Sequence, residues 1–295
     1  MNILITGGTG FIGTALCSRL LEDKHDIVVL SRHPEAIKPP VKGIADLEQL
    51  EDDAVFDIVI NLAGEPIANK RWSEQQKQRI VDSRLGITQQ LIAYLQKAVH
   101  KPELLVSGSA IGYYGIAATT DFVDENVSGD NSFSSQLCQQ WEAAALQAET
   151  LGIRTCLLRT GIVLGKGGGA LSKMLFPFKM GLGGKIGEGK QWMPWIHLDD
   201  LLGIILYCIE HKSLTGAING TAPNPVTNQE FSKTLGKVLK RPTIFPLPVI
   251  AVKLLMGQMG EELLLAGNRV LPIKISEAGY QFQYEKLEDA LLNVV

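Results

Sequence analysis

Residues 1–21 constrain the fold more than any other stretch. Met1–Ile5 is a short apolar run, Thr6-Gly-Gly-Thr-Gly-Phe-Ile-Gly13 follows, and apolar residues recur at helical spacing from Phe11 to Leu21. The order is strand, glycine loop, helix. Gly7 permits the tight turn, Gly10 lets backbone approach a pyrophosphate, and Gly13 lets the helix pack close on the strand. A helix that begins there offers unpaired N–H groups and the positive end of its dipole to phosphate. The backbone of Phe11 and Ile12 belongs to the same expected cradle as Gly7, Gly10 and Gly13.

The second strand, 26–31, leads into Ser31-Arg32-His33. A strand that serves NAD ends in an acid that accepts from the ribose 2′-OH, and this tip has none. Arg32, helped by the Ser31 hydroxyl, is placed to pair with a 2′-phosphate. A charge-assisted hydrogen bond of about 1.5–3 kcal/mol converts to roughly a tenfold to hundredfold preference for NADP(H) over NAD(H). A third strand over 56–61 enters the turn Leu62-Ala63-Gly64, where small residues let backbone lie along the adenosine side. Asp46 reads equally as a partner for the adenine amino group and as a helix N-cap.

Residues 73–99 read as one long amphipathic helix, with Ser73 as N-cap and Gln76 completing a capping box. Residues 104–107 and 154–159 read as strands, with a helix over 131–150 between them. Such alternation predicts an α/β fold with a doubly wound parallel sheet and ligands at the carboxyl ends of its strands. Composition then shifts. Nine glycines lie between Gly165 and Gly189, and five lysines stand against one acid, Glu188, from Lys166 to Lys190. This stretch reads either as solvated cations on a flexible lid or as a lid that closes on an anionic ligand. Asp199 or Asp200 is expected to cap a helix running to Glu210. A strand over 216–220 and a helix over 228–239 complete the pattern. The expected division is a cofactor domain over residues 1–164, rejoined by 195–215, and a smaller α/β substrate lobe over 165–194 and 216–295.

Composition narrows the function classes. A chain of 295 residues, 45% hydrophobic, buries about three-quarters of its unfolded surface. A net charge of −3 excludes a dedicated nucleic-acid binder. Cys17, Cys138, Cys156 and Cys208 are far apart with no CxxC pair, so neither a metal site nor a disulfide scaffold is expected. The longest apolar run, 201–209, is too short to cross a bilayer. Residues 2–6 read as a strand and not as a signal peptide. The expectation is a cytoplasmic chain with no membrane partner.

Thr6–Gly13, Asn61-Leu-Ala-Gly64, Ser107-Gly-Ser109 with Tyr114-Gly115, Leu158-Arg-Thr-Gly161 and Trp195-Ile-His-Leu-Asp-Asp200 occur in this order. Together they resemble the extended short-chain dehydrogenase/reductase superfamily, of the NAD-dependent epimerase/dehydratase type. Trp141-Glu-Ala-Ala-Ala145, Gly165-Lys-Gly-Gly-Gly169 and Gly220-Thr-Ala-Pro-Asn224 look like the YfcH-type, sugar-nucleotide-epimerase-like branch. The likeness spans essentially the whole chain. It implies a Rossmann domain with an inserted and C-terminal substrate lobe, and by analogy a homodimer paired on long helices.

Superfamily chemistry uses a serine, a tyrosine and a lysine four residues after that tyrosine. The lysine charge lowers the phenol pKa from about 10, so the phenolate can trade a proton with a substrate hydroxyl. None of the six tyrosines here has a lysine at that spacing. With Glu142 matched to a superfamily acid, the tyrosine position falls on Ser134, the lysine position on Cys138 and the serine position on Ser109. The resemblance therefore implies an intact cofactor fold without the standard proton-transfer pair. Ser109 and Tyr113 are the catalytic candidates. Tyr114 reads as an acid or as a structural ring, and Glu65 as a loop base. Arg84 matches a position facing the nicotinamide end and would hold cofactor or an acidic substrate, while Ser107 joins Leu62, Ala63 and Gly64 in lining the cofactor. His197 and Cys138 read as buried core groups. The function expected is an NADP(H)-binding, epimerase-like oxidoreductase acting on a small anionic substrate. The alternative is a non-catalytic NADP(H)-binding regulatory or interaction protein.

Overall fold

The computed structural model describes every residue except 52 and 117–121. The chain opens with β1 (Asn2–Thr6), α1 (Phe11–Glu22), β2 (Asp26–Leu30) and β3 (Lys42–Ile44). It continues through β4 (Ile58–Asn61), α2 (Glu74–Lys97), β5 (Leu104–Ala110), β6 (Phe122–Val123), α3 (Phe133–Ala145) and β7 (Arg154–Thr160). Then come β8 (Ile162–Leu164), α4 (Gly169–Lys179), β9 (Trp192–Met193), β10 (Trp195–His197), α5 (Leu198–Glu210) and β11 (Gly216–Gly220). After β12 (Val226–Thr227), α6 (Asn228–Leu239) and α7 (Val249–Met256), the chain closes with short elements, the last a helix over Leu287–Val294.

Seven strands form one sheet in the order β11-β7-β5-β4-β1-β2-β3, and every pairing in it is parallel. Burial on both faces explains the apolar strands. Ile3 and Ile5 point into one core with Leu16, Leu20, Ile204 and Ile205. Leu4, one residue out of phase, points into the other with Leu91, Leu95 and Leu105. A third core joins Leu171 of α4, Trp195, Phe231 of α6 and Leu291 of the last helix. The strand order reverses at β1, which has β2 on one side and β4 on the other. The carboxyl ends of β1 and β4 therefore open side by side at a topological switch point, where such sheets bind ligands. No helix of the described residues is long and apolar enough to cross a membrane.

Several local expectations change. The short edge strand β3 was not predicted; three residues carry too little periodicity to announce themselves. The helix over 131–150 is α-helical only to Ala145 and tightens to a 3-10 turn over Leu146–Leu151, stopping at Gly152 with φ +78°. The glycine-rich stretch is not loop throughout, since α4 occupies Gly169–Lys179. Neither Asp199 nor Asp200 caps α5. His197 does so, its Nδ1 accepting from the Asp199 N–H at 3.1 Å. Asp200 is fully buried and accepts from the Gln283 and Tyr284 N–H groups at 2.7 and 2.9 Å. Its charge therefore fastens the C-terminal segment to α5.

Candidate dinucleotide site and adjoining polar network

Gly7 has φ +72°, and a Cβ there would lie 2.6 Å from the Leu62 carbonyl carbon and 2.8 Å from the Ala63 nitrogen. The turn after β1 thus needs glycine twice over, for its left-handed backbone and for the approach of the turn after β4. A Cβ on Gly13 would stand 2.1 Å from the Gly7 carbonyl oxygen, so α1 touches the loop it leaves. Gly10 is the N-cap of α1 and contributes no side-chain bond. The first-turn N–H groups of Phe11, Ile12 and Gly13 are the donors an anion at this helix start would take. The Phe11 ring lies against Gly165, Gly168 and Gly169, where any Cβ would come within 3.1 Å of it. That contact explains the clustered glycines after β8.

A buried hydrogen-bond chain fixes the turn after β4. Ala63 N–H donates to Thr6 Oγ1 at 3.2 Å, Thr6 donates to Asn61 Oδ1 at 2.6 Å, and Asn61 Nδ2 donates to Thr88 Oγ1 at 2.8 Å. Trp141 Nε1 donates to the same Thr88 oxygen at 3.0 Å. Over this turn lies Arg84. Its Nη1 donates to the Glu65 and Ile80 carbonyls at 3.1 and 3.2 Å, its Cζ is 5.3 Å from the Trp141 ring, and a Cβ on Gly64 would be 2.9 Å from that Cζ. Burial lowers the Arg84 pKa. Ser107 is fully buried, with its hydroxyl directed to the Gly108 carbonyl at 3.4 Å.

At the tip of β2, Ser31 Oγ accepts from the His33 N–H at 3.1 Å. Arg32 is exposed and has no ion pair or hydrogen bond among the described residues. Asp46 is a cap: it accepts from the Glu48 N–H, and Gln49 completes a capping box. Glu65 N–H donates to Ser83 Oγ at 2.9 Å.

At the carboxyl ends of β5 and β7 lies a second, charged network. Ser109 Oγ donates to Glu142 Oε1 at 2.6 Å. Arg159 binds the same carboxylate in bidentate fashion, at 2.8 and 2.9 Å. Arg159 Nη1 donates to Tyr114 Oη at 3.1 Å, and Tyr114 donates to Asn219 Oδ1 at 2.7 Å. The guanidinium also sits 3.4 Å from the centroid of the half-buried Tyr113 ring. Burial opposes the Arg159 charge, yet the Glu142 carboxylate more than offsets it and holds the arginine protonated. Burial pushes the Tyr114 phenol up to about 12, against the opposing pull of Arg159. Tyr114 is buried, and Tyr113 is the more accessible of the two.

A model for the NAD dependent epimerase/dehydratase family matches residues 3–219. The chain belongs to the NAD-dependent epimerase/dehydratase family. A second model, a domain of unknown function (DUF1731), matches residues 247–294. The epimerase family protein SDR39U1 of Homo sapiens is 39% identical over 300 residues, covering 100% of both chains. The epimerase family protein YfhF of Bacillus subtilis is 37% identical over 302 residues, covering 100% of this chain and 98% of its own. The crystal structure of human SDR39U1 (isoform 2) with NADPH superposes with a TM-score of 0.90 at 38% identity, covering 100% of this chain and 99% of that one.

Ser134 and Cys138, the residues the sequence resemblance sets at the tyrosine and lysine positions, stand one turn apart and buried on α3. Burial, followed by the nearby Glu142 charge, pushes the Cys138 thiol up to about 11, so it is neither a cation nor a thiolate at neutral pH. Ser134 donates through Oγ to Glu262 Oε2 at 2.7 Å, and its N–H donates to the same oxygen at 2.9 Å. Phe133 N–H and Gln258 Nε2 donate to Glu262 Oε1 at 3.3 and 2.9 Å. Glu262 thus caps α3 from the C-terminal segment, since Ser132 at the N-cap makes no capping bond. Sequence reasoning missed it because no local pattern links residues 128 positions apart.

Proposed function

We propose that the chain binds NADP(H) and acts as an epimerase-like oxidoreductase on a small, anionic polar substrate, without a tyrosine–lysine pair. The observation that carries this reading is the end of β2. Thr6 and Leu30 are partners in register, so Arg32 follows within two residues of the strand beside the glycine turn, and no acid stands at that tip. The NADPH in the human relative's structure supports the same choice. Gly7, Gly10, Phe11, Ile12 and Gly13 would hold the pyrophosphate, Ser31 and Arg32 the 2′-phosphate, and Leu62, Ala63, Gly64 and Ser107 the remainder. The bound nicotinamide supplies a hydride acceptor or donor. Arg84 would orient an anionic group, with Ser109 and Tyr113 touching the substrate hydroxyl. In this reading residues 1–164 and 195–215 carry the cofactor, and residues 165–194 and 216–295 carry the substrate. Four buried free cysteines suit a reducing cytoplasm. Pairing through α2 as a homodimer completes the reading.

One observation favours a second reading, a non-catalytic NADP(H)-dependent regulator. Ser109 is already bonded to Glu142 inside a satisfied buried network, and Cys138 supplies no charge. The test is turnover, followed by nicotinamide absorbance against a panel of carbonyl compounds and sugar nucleotides, in wild type, Ser109→Ala and Tyr113→Phe. Turnover that either variant abolishes supports the enzyme. Tight NADPH binding with no turnover on the whole panel supports the regulator.

A further inference from the structure

The chain leaves a large apolar surface uncovered. In α7, Val-Ile-Ala-Val-Lys-Leu-Leu-Met, only Val252 is buried, while Ile250, Leu254 and Leu255 face solvent. A helix this apolar is normally enclosed. The surface extends beyond it. Phe245 N–H donates to the Gly183 carbonyl, Leu247 N–H to Lys185 and Gly187 N–H to Leu247, so residues 183–187 run alongside 245–247. Arg241 Nε reaches the Lys179 carbonyl at 2.9 Å. Met180 and Leu182 are thereby brought beside Ile244 and Phe245, with Phe176 one turn of α4 away. These five side chains are between 53 and 74% exposed. Exposed apolar side chains gathered in this way mark an interaction surface.

Basic residues outnumber acidic ones on this surface. Residues 166–190 hold five lysines and one acid, and residues 240–260 hold Lys240, Arg241 and Lys253 with no acid, in a chain whose net charge is −3. Glu188 pairs with Lys190 and Glu261 with Lys253. Lys179, Lys185, Lys240 and Arg241 have no acidic partner among the described residues. Two cavities flank the seam. One, of about 380 Å³, is lined by Lys190, Lys253, Val249 and Leu265 and also by the Glu188 carboxylate. The other, of about 320 Å³, has Lys185 and Lys233 over Ile244 and Pro246.

We propose that this face docks on an anionic lipid bilayer as a peripheral surface contact. Bilayer interfaces take scattered aliphatic and aromatic side chains to shallow depth, and anionic headgroups attract a surrounding ring of lysine and arginine. The smaller cavity offers the ammonium groups of Lys185 and Lys233 for a phosphate beside the aliphatic Ile244 and Pro246 for a chain stem. A second copy of this chain fits less well, because a twofold contact through the patch would set lysines against lysines. Single-stranded nucleic acid calls for stacking aromatics, and this patch is mainly aliphatic. The contact needs no spanning helix.

The test uses the full chain with NADPH present, sedimented with phosphatidylcholine vesicles and with vesicles containing about one-third phosphatidylglycerol. The proposal expects at least roughly tenfold tighter binding to the anionic vesicles, weakened by salt. An Ile250→Glu/Leu254→Glu double variant and a Lys179→Glu/Lys185→Glu double variant should each abolish it. All these side chains are at the surface, and unchanged Tm and NADPH affinity would verify folding. Equal binding to both vesicle types, no binding, or variants that bind like wild type would overturn the proposal. So would sedimentation velocity showing a dimer that Ile250→Glu/Leu254→Glu dissolves, or an acidic protein partner competing fully with vesicles for the wild-type face.

Discussion

A Cβ on Gly13 has nowhere to go, because the atom it meets is backbone and not a flexible side-chain end. Gly13→Ala should therefore push α1 off the loop after β1. The expected outcome is NADPH affinity lowered by more than about tenfold and a lower Tm, whereas Gly86→Ala, which meets open space inside α2, should leave affinity unchanged and Tm equal or higher. Buried thiols and phenols make a second prediction at this scale. Burial pushes Cys17 and Cys138 up to about 11 from 9.0, and Tyr114 up to about 12 from 10.0. The folded state disfavours their ionised forms. The stability they contribute is complete below the unfolded pKa values and is lost as pH rises through the window from 9 to 12. Urea midpoints at about pH 8 and about pH 10.5 check this, and the alkaline midpoint should be clearly lower. The residues legible in sequence were those whose role is local. Gly7, Gly10 and Gly13 announce a turn by spacing alone, and the Gly7 backbone at φ +72° bears that out. The Ser109–Glu142–Arg159–Tyr114 network was not legible, because β5, α3 and β7 meet only in the folded chain.

Two helix starts show what an element can and cannot declare in advance. Ser73 caps α2 by accepting from the Gln76 N–H, as a serine before a helical pattern predicts, although the reciprocal Gln76 bond is missing and the buried Gln76 Nε2 has no partner among the described residues. In α3 the local residue Ser132 makes no capping bond, and Glu262 does so from a different matched region of the chain. Glu262→Ala should cost about 1 kcal/mol, and amide exchange at Phe133 and Ser134 should accelerate. Exchange unchanged at those two amides would show that the cap is dispensable. The correction at α5 has a related cause. Asp199 and Asp200 fit a capping pattern, yet the buried Asp200 serves backbone amides 83 and 84 residues onward, and His197 takes over the cap.

At the scale of the molecule, the parallel sheet sets the carboxyl ends of β1, β2 and β4 together, and three separate sequence features converge there: the glycine loop, the acid-free tip of β2 and the small-residue turn after β4. Alternation of strands and helices was sufficient to predict that convergence, since crossover connections leave few other arrangements. Charge balance was not sufficient to predict the surface. A net of −3 conceals a basic face next to exposed aliphatic residues, and only the pairing of residues 183–187 with 245–247 assembles it. The central claim is that this switch point binds NADP(H) through Arg32. Calorimetric titration of wild type and Arg32→Ala with NADPH and NADH tests it most directly. NADPH should bind well above NADH in wild type, with a loss of about tenfold to hundredfold for NADPH alone in the variant. Equal affinity for both dinucleotides, or an unchanged NADPH affinity in Arg32→Ala, would contradict it.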